Sequence, residues 1–255
     1  MDAKGLARRA LPSRAYNLAW RVRRELWSLA LYRGRHECPV CGNRRRFVVI
    51  NTEGGRHETL CVPCGSLERH RRTILLLSRY TDLLSTQRRR LLHVAPERCL
   101  RHVFEGLSLD YVTGDLEMPE VHVKLDVTAI PFPDRSFDAI LCSHVLEHVL
   151  DDVQAMREMR RVLKDDGWVL VNVPADPKRA EAYEDPSVTD PADRMQIFGQ
   201  HDHVRIYAVA TVVGRLRESG FSVTVDPINF SEEERRHYLL SGDIGWDHSY
   251  FCRPA

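Results

Sequence analysis

The chain has 255 residues, with 37 Lys/Arg against 36 Asp/Glu and a formal net charge of +1. That length supports a full hydrophobic core plus an appendage. No apolar run reaches the roughly 18 residues of a membrane-spanning helix, and the N-terminus lacks a secretory signal's apolar core, so a soluble, cytoplasmic protein is expected.

Near-neutrality hides an asymmetry. Residues 1–90 carry 20 Lys/Arg against 7 Asp/Glu, and residues 91–255 carry 17 against 29. A basic half attracts nucleic acid, an anionic membrane surface or a phosphorylated substrate, or docks on the acidic half. Residues 1–33 are Arg-rich, with Leu18, Val22, Leu26 and Leu29 near helical spacing and Trp20 and Trp27 interleaved. An amphipathic helix is expected there, packed on the body of the protein, in peripheral contact with a membrane, or serving as a targeting segment.

Of the seven cysteines, four form two knuckles, Cys38-Pro-Val-Cys41-Gly42 and Cys61-Val-Pro-Cys64-Gly65. Each knuckle places two thiolates on one edge of a tetrahedron, and the pair predicts a structural Zn²⁺ with no open coordination position. Phe47 to Ile50 and the Gly54-Gly55 turn fit a small hairpin between them, so residues 34–90 read as a zinc ribbon and linker helix. The linker helix starts near Ser66 as N-cap, and its Arg69, Arg71 and Arg72 either bind phosphate or face solvent and acidic partners.

From Leu91 the pattern changes to alternating strands and helices. Strands are expected at 91–95, at 111–113 ending on Asp115, at 121–125 ending on Asp126, at 137–142 and at 168–173 after the Asp165-Asp166-Gly167 turn. Helices fall at 99–107 and 151–163, a Pro-rich loop or lid at about 175–207, a helix at 208–219, and a last pair of strands at 221–226 and 248–253. Repeated βα units predict an α/β, Rossmann-like doubly wound, mostly parallel sheet with a terminal antiparallel strand over residues 91–255. In such a sheet ligands sit at the carboxyl ends of the strands, which makes Asp126 and Ser143-His144 pocket walls.

The string Ile130-Pro-Phe-Pro-Asp-Arg-Ser-Phe-Asp138, with Leu146-Glu-His148, Arg161 to Gly167 and Leu216 to Phe221, resembles class I S-adenosylmethionine-dependent methyltransferases over residues 90–255. The double CxxC, the GSLERHR and HVAPE strings and the segment from Glu184 to Tyr207 resemble a bacterial group of these enzymes with an N-terminal zinc ribbon. The resemblance implies S-adenosylmethionine as cofactor. It makes Asp115 the acceptor for the ribose hydroxyls and Asp126 the acid facing the adenine amine, with Leu116 and Val127 beside them. Ser143 and His144 then line cofactor and acceptor at the end of the fourth strand. His93, Ala95 and Glu97 stand where the family has an acid and a glycine-rich turn; Glu97 is placed to bond the cofactor's ammonium, and Ala95 is small enough for close approach.

Methyl transfer needs alignment more than it needs a metal, and a hydroxyl acceptor adds a general base. His144, His201 and His203 are the candidates, with Arg205 as anion clamp and Tyr207 as positioning hydroxyl; His148 ranks below them, and the His201-Asp202-His203 pair is also a weak metal motif. The expected reaction is methylation of O or N on a small-molecule, sugar or glycan-type acceptor. The alternatives are an RNA methyltransferase gripping phosphates through the basic region, and a non-catalytic zinc-ribbon scaffold.

Overall fold

The computed structural model describes residues 36–51, 57–85, 88–240 and 246–255. The expected helix over 1–33 and the Gly54-Gly55 turn lie outside the described residues. The chain forms two compact units, Met1–Arg72 with Ser231–Leu240, and Thr73–Phe230 with Ser241–Ala255.

In the first unit β1 (Phe47–Asn51) and β2 (His57–Cys61) pair antiparallel, from Phe47 opposite Cys61 to Asn51 opposite His57. Phe47 and the two buried cysteines, Cys38 and Cys61, form its core. A core this small does not hold a fold by apolar burial alone, so the thiol cluster has to supply the remainder. Helix α1 (Glu68–Tyr80) begins in this unit and continues into the second.

The second unit is a sheet with helices on its faces. After β3 (Arg90–Val94) come α2 (Arg98–Glu105), β4 (Asp110–Asp115), the short β5 (Val123–Lys124), β6 (Phe137–Ser143), α3 (Asp152–Val162) and β7 (Leu163–Asp176). The chain then forms β8 (Tyr183–Glu184), α4 (Pro191–Phe198), β9 (Arg205–Ala208), α5 (Val209–Glu218) and β10 (Phe221–Val225). Helix α6 (Glu232–Tyr238) and the final β11 (Asp247–Pro254) close the sequence.

The strand order is β10-β11-β7-β6-β3-β4-β5; β3 runs parallel to both β4 and β6, whereas β11 is antiparallel to β7 and to β10. The chain therefore winds outward from β3 in one direction and then from β6 in the other, and the order reverses between these two strands. The inner strands are buried on both sides, from Leu91 and Leu92 through Ile140 to Val169, Leu170 and Val171. That is why they read as continuous apolar runs and show no alternation.

Three expectations change. The Asp165-Asp166-Gly167 turn is absorbed into β7, whose pairing with β6 shifts register between Phe137 and Ala139. The segment expected as a Pro-rich loop or lid carries regular structure: Asp190 caps α4 by accepting from the Ala192 and Asp193 amides, and Gly199 ends the helix at φ +87°. Strand β9 ties this insert to the sheet by pairing with β8 and with the end of β7. Finally, the stretch between β10 and β11, which the sequence leaves without an assigned element, contains α6, started by a capping box of Ser231 and Glu234, and that helix joins the first unit.

Candidate functional site

At the reversal of strand order the carboxyl ends of β3, β4 and β6 open into a cavity of about 560 Å³, within the size range of small-molecule sites. Its wall holds Ala95 after β3, Asp115 and Leu116 at the end of β4, Asp126 and Val127 after β5, His144 after β6, and His148 and His201 from the loops above. Of the predicted site residues, the structure thus brings together Ala95, Asp115, Leu116, Asp126, Val127, His144 and His201.

The turn after β3 explains how a glycine-poor string forms such a site. Ala95 has φ +48°, the left-handed region that glycine normally fills, and its amide donates to the Gly114 carbonyl at 2.8 Å. At the left-handed position itself the chain presents a single methyl group. Gly114 is needed next door, because a Cβ there would sit 2.7 Å from Leu125.

Both acids are held by the turns they start. Asp115 Oδ1 accepts from the Glu117 and Met118 amides at 2.8 and 2.7 Å, and Asp126 Oδ1 from the Thr128 amide and hydroxyl at 2.8 and 2.7 Å. The Thr128 hydroxyl and amide hold the Asp126 carboxyl below the usual carboxylate range. In each acid Oδ2 takes no hydrogen bond among the described residues, so two fixed acceptors stand at the ends of successive strands, beside the exposed apolar Leu116.

His144 also has positive φ, +53°, and its Nδ1 lies 3.2 Å from Glu147 Oε1. A carboxylate accepting from Nδ1–H sets the tautomer and puts the basic lone pair at Nε2. The residues around Glu147 are fastened by the insert. Val204 N–H donates to the Glu147 carbonyl at 3.0 Å, and the Arg205 guanidinium donates to the carbonyls of Leu146 (2.8 Å), Leu150 (2.9 Å) and Val149. Arg205 Nε completes the set on Glu184 at 2.8 Å.

This corrects the reading of several predicted residues. Arg205 and Tyr207 are buried outside the cavity wall, and both serve the fold. Arg205 spends its donors on main-chain carbonyls, and the Tyr207 hydroxyl donates to Asp152, where burial and that carboxylate push the phenol well above its ordinary pKa. Ser143 accepts from the Asn172 amide at 2.9 Å in a buried network with Ser249, away from the cavity. His93 is fully buried, with Tyr111 Oη and Glu97 Oε2 each 2.8 Å from its ring nitrogens, so Glu97 is turned toward His93. His203 is buried against the His148 ring, 4.8 Å between centroids, and burial pulls its pKa down. Sequence reasoning passed over Glu147, whose signal was its place three residues after His144 in the His-rich segment.

In the first unit the four predicted cysteines converge, with Sγ–Sγ separations of 3.8 Å for Cys38–Cys64 and 3.6 Å for Cys41–Cys61. Zinc–sulfur bonds of about 2.3 Å set tetrahedral edges near 3.8 Å, so this donor set fits Zn²⁺. Gly42 and Gly65, at φ +70° and +78°, turn their amides back onto the carbonyls of Cys38 and Cys61. The Ser66 hydroxyl, expected to cap a helix, lies 3.2 Å from both Cys38 and Cys64 Sγ. Arg71 is fully buried and donates to the carbonyls of Thr59, Ser66, Tyr238 and Leu239, so it ties α6 to the hairpin and does not serve as a phosphate ligand.

A crevice at the switch point of a doubly wound sheet, with two carboxylate acceptors and a histidine in its wall, defines a nucleotide-type binding fold. Residues 93–171 match the family model described as a methyltransferase domain. Among curated proteins, the ubiquinone/menaquinone biosynthesis C-methyltransferase UbiE of Hahella chejuensis is 42% identical over 65 residues, 24% of this chain and 26% of that protein. UbiE of Escherichia coli is 29% identical over 152 residues, 59% of this chain and 52% of that protein. The chain thus spans about half or less of the length of these relatives. The crystal structure of the YcgJ protein from Bacillus subtilis superimposes with a TM-score of 0.51 at 16% identity, covering 73% of this chain and all of that one, a likeness of fold. No helix among the described residues is long and apolar enough to cross a membrane.

Proposed function

We propose that the chain is an S-adenosylmethionine-dependent methyltransferase acting on a small-molecule acceptor with a weakly acidic hydroxyl, methylated on that oxygen or on a carbon conjugated to it. The observation that carries this is the cavity at the β3/β6 reversal, with Asp115 and Asp126 as fixed acceptors and the His144–Glu147 pair in or beside its wall. Oxygen transfer follows from a base in that wall. Carbon transfer is added because the two UbiE proteins described above, among other relatives, are named C-methyltransferases.

When bound, S-adenosylmethionine supplies the methyl group on a sulfonium that is its own leaving group. Asp115 accepts hydrogen bonds from vicinal hydroxyls and Asp126 from an exocyclic amine, while Leu116 and Val127 cover an apolar ring face. Close approach at the β3 end relies on Ala95. Nε2 of His144 is buried in this structure, so a rotation of the ring toward the cavity precedes proton transfer from the acceptor, and Glu147 stabilises the resulting imidazolium through Nδ1–H. In the first unit the Cys38, Cys41, Cys61 and Cys64 thiolates bind Zn²⁺ as a closed structural centre, which has no part in the chemistry.

Calorimetric titration with S-adenosylmethionine tests the reading: micromolar binding is expected, weakened at least tenfold by Asp115→Ala. No heat of binding, or an unchanged affinity in the variant, would sink it.

A further inference from the structure

Among the described residues, Glu147 is a buried acid that no Lys or Arg side chain matches. It is 1% exposed, and among those residues its Oε1 meets His144 alone and Oε2 has no hydrogen-bond partner. No Lys or Arg pairs with it among the described residues. A buried carboxylate oxygen left bare costs on the order of 1–3 kcal/mol or more, so this position calls for a cation or a proton donor.

Two imidazoles are gathered around it. His148 follows it in the 3₁₀ turn Leu146–His148, and His203 is brought in by the bond from Val204 N–H to the Glu147 carbonyl. The ligand atoms of Glu147, His148 and His203 all lie within 4.8 Å of one another. The two rings meet edge to face at 4.8 Å, and Arg205 pins the main chain of the same turn.

We propose that Glu147, His148 and His203 form a binding site for a divalent first-row transition-metal ion at the edge of the cavity. Two imidazoles and one carboxylate are a donor set used by catalytic zinc and by non-haem iron. Bonds of about 2.1 Å place tetrahedral donors about 3.4 Å apart, a closure on the order of 1 Å that side-chain rotation supplies. Oε2 would take the metal and Oε1 keep the His144 ring, so one carboxylate serves both, as ligand and as orienter of a neighbouring histidine. The grouping differs from the sequence motif: His203 pairs with His148 and Glu147, whereas His201 is exposed. Three protein ligands leave positions open for an acceptor oxygen; that role rests on the methyl-transfer reading, and metal binding itself does not.

The test uses full-length protein whose cysteine cluster is already filled with zinc, titrated with Co²⁺ and followed by visible absorption and metal analysis. One further equivalent is expected, with the weak d–d bands of a nitrogen–oxygen site and without thiolate charge-transfer absorption. Its affinity should fall at least 30-fold in Glu147→Gln and in His148→Ala, the second affecting a partly exposed side chain and so a safe control for folding. Thermal unfolding and the zinc content of the cysteine cluster should match the parent in both variants, which shows that they fold, and S-adenosylmethionine titration of the parent protein before Co²⁺ is added separates failure of this site from failure of the methyltransferase reading. No additional equivalent in the parent protein, or an equivalent that both variants retain, overturns the proposal.

Discussion

Ala95 and His144 hold left-handed backbone at the two strand ends that flank the reversal of strand order, at φ +48° and +53°. Such strain persists where the surrounding structure overdetermines it, and here it aims the β3 turn and the His144 ring. The left-handed penalty of about 1–2 kcal/mol for an L-residue exceeds the roughly 0.4–1 kcal/mol that glycine gives up in chain entropy. Ala95→Gly should therefore leave the thermal midpoint unchanged or raise it, while Ala95→Val should lower it, at a cost of about 2 kcal/mol or more in stability. A glycine variant as unstable as the valine one would show that the strain argument is wrong. His144→Gln removes the proposed base while keeping a polar side chain. Methyl transfer should fall by about 10²-fold or more with S-adenosylmethionine affinity within threefold of the parent, as read by single-turnover kinetics and calorimetry. Asp115, Asp126 and His144 were legible in the sequence because each follows an apolar run at a strand end. Arg205 and Tyr207 were misread, because a buried guanidinium and a substrate clamp look the same until the neighbouring carbonyls are placed.

Among the elements, the insert between β7 and α5 matters most. The sequence from 175 reads as a Pro-rich loop, yet Asp190-Pro191 and Gly199 bracket a helix, and those capping signals were present in the chain. The pairing of β9 with β7 was not, since it depends on where β7 ends in the sheet. Arg205 couples this insert to the turn bearing Glu147 and His148. Arg205→Leu should cost about 2–4 kcal/mol by leaving the Val149 and Leu150 carbonyls without a donor and Glu184 with Arg215 as its one remaining guanidinium partner, measured as a fall in denaturant midpoint. If the variant kept full stability, the clamp would be only a geometric coincidence. The string at 130–138 has a comparable anchor: Arg161 donates to the Ile130 and Phe132 carbonyls at 2.8 Å each, and Glu158 accepts from the Ile130 amide. The turn that carried the family resemblance is thus held by two residues of α3.

At the scale of the molecule, the cavity wall belongs entirely to the α/β unit, and the cysteine cluster entirely to the other. Releasing zinc with a thiol-specific reagent, or the variant Cys61→Ser, should abolish the unfolding transition of the small unit in calorimetry. S-adenosylmethionine binding should survive; its loss would make the cysteine centre part of the working site. By itself the sequence determined the parallel α/β architecture, the four thiols and the acids at the strand ends, because apolar runs, CxxC spacing and turn chemistry are local properties. Only the tertiary structure decided that α6 joins the cysteine-bearing unit, that Arg71 and Arg205 are internal fasteners, and that Glu147 meets His144, His148 and His203. Those facts depend on contacts between residues up to 200 positions apart, such as His36 with Arg236. Spacing along the chain records nothing about which carbonyl or carboxylate will stand opposite a given side chain.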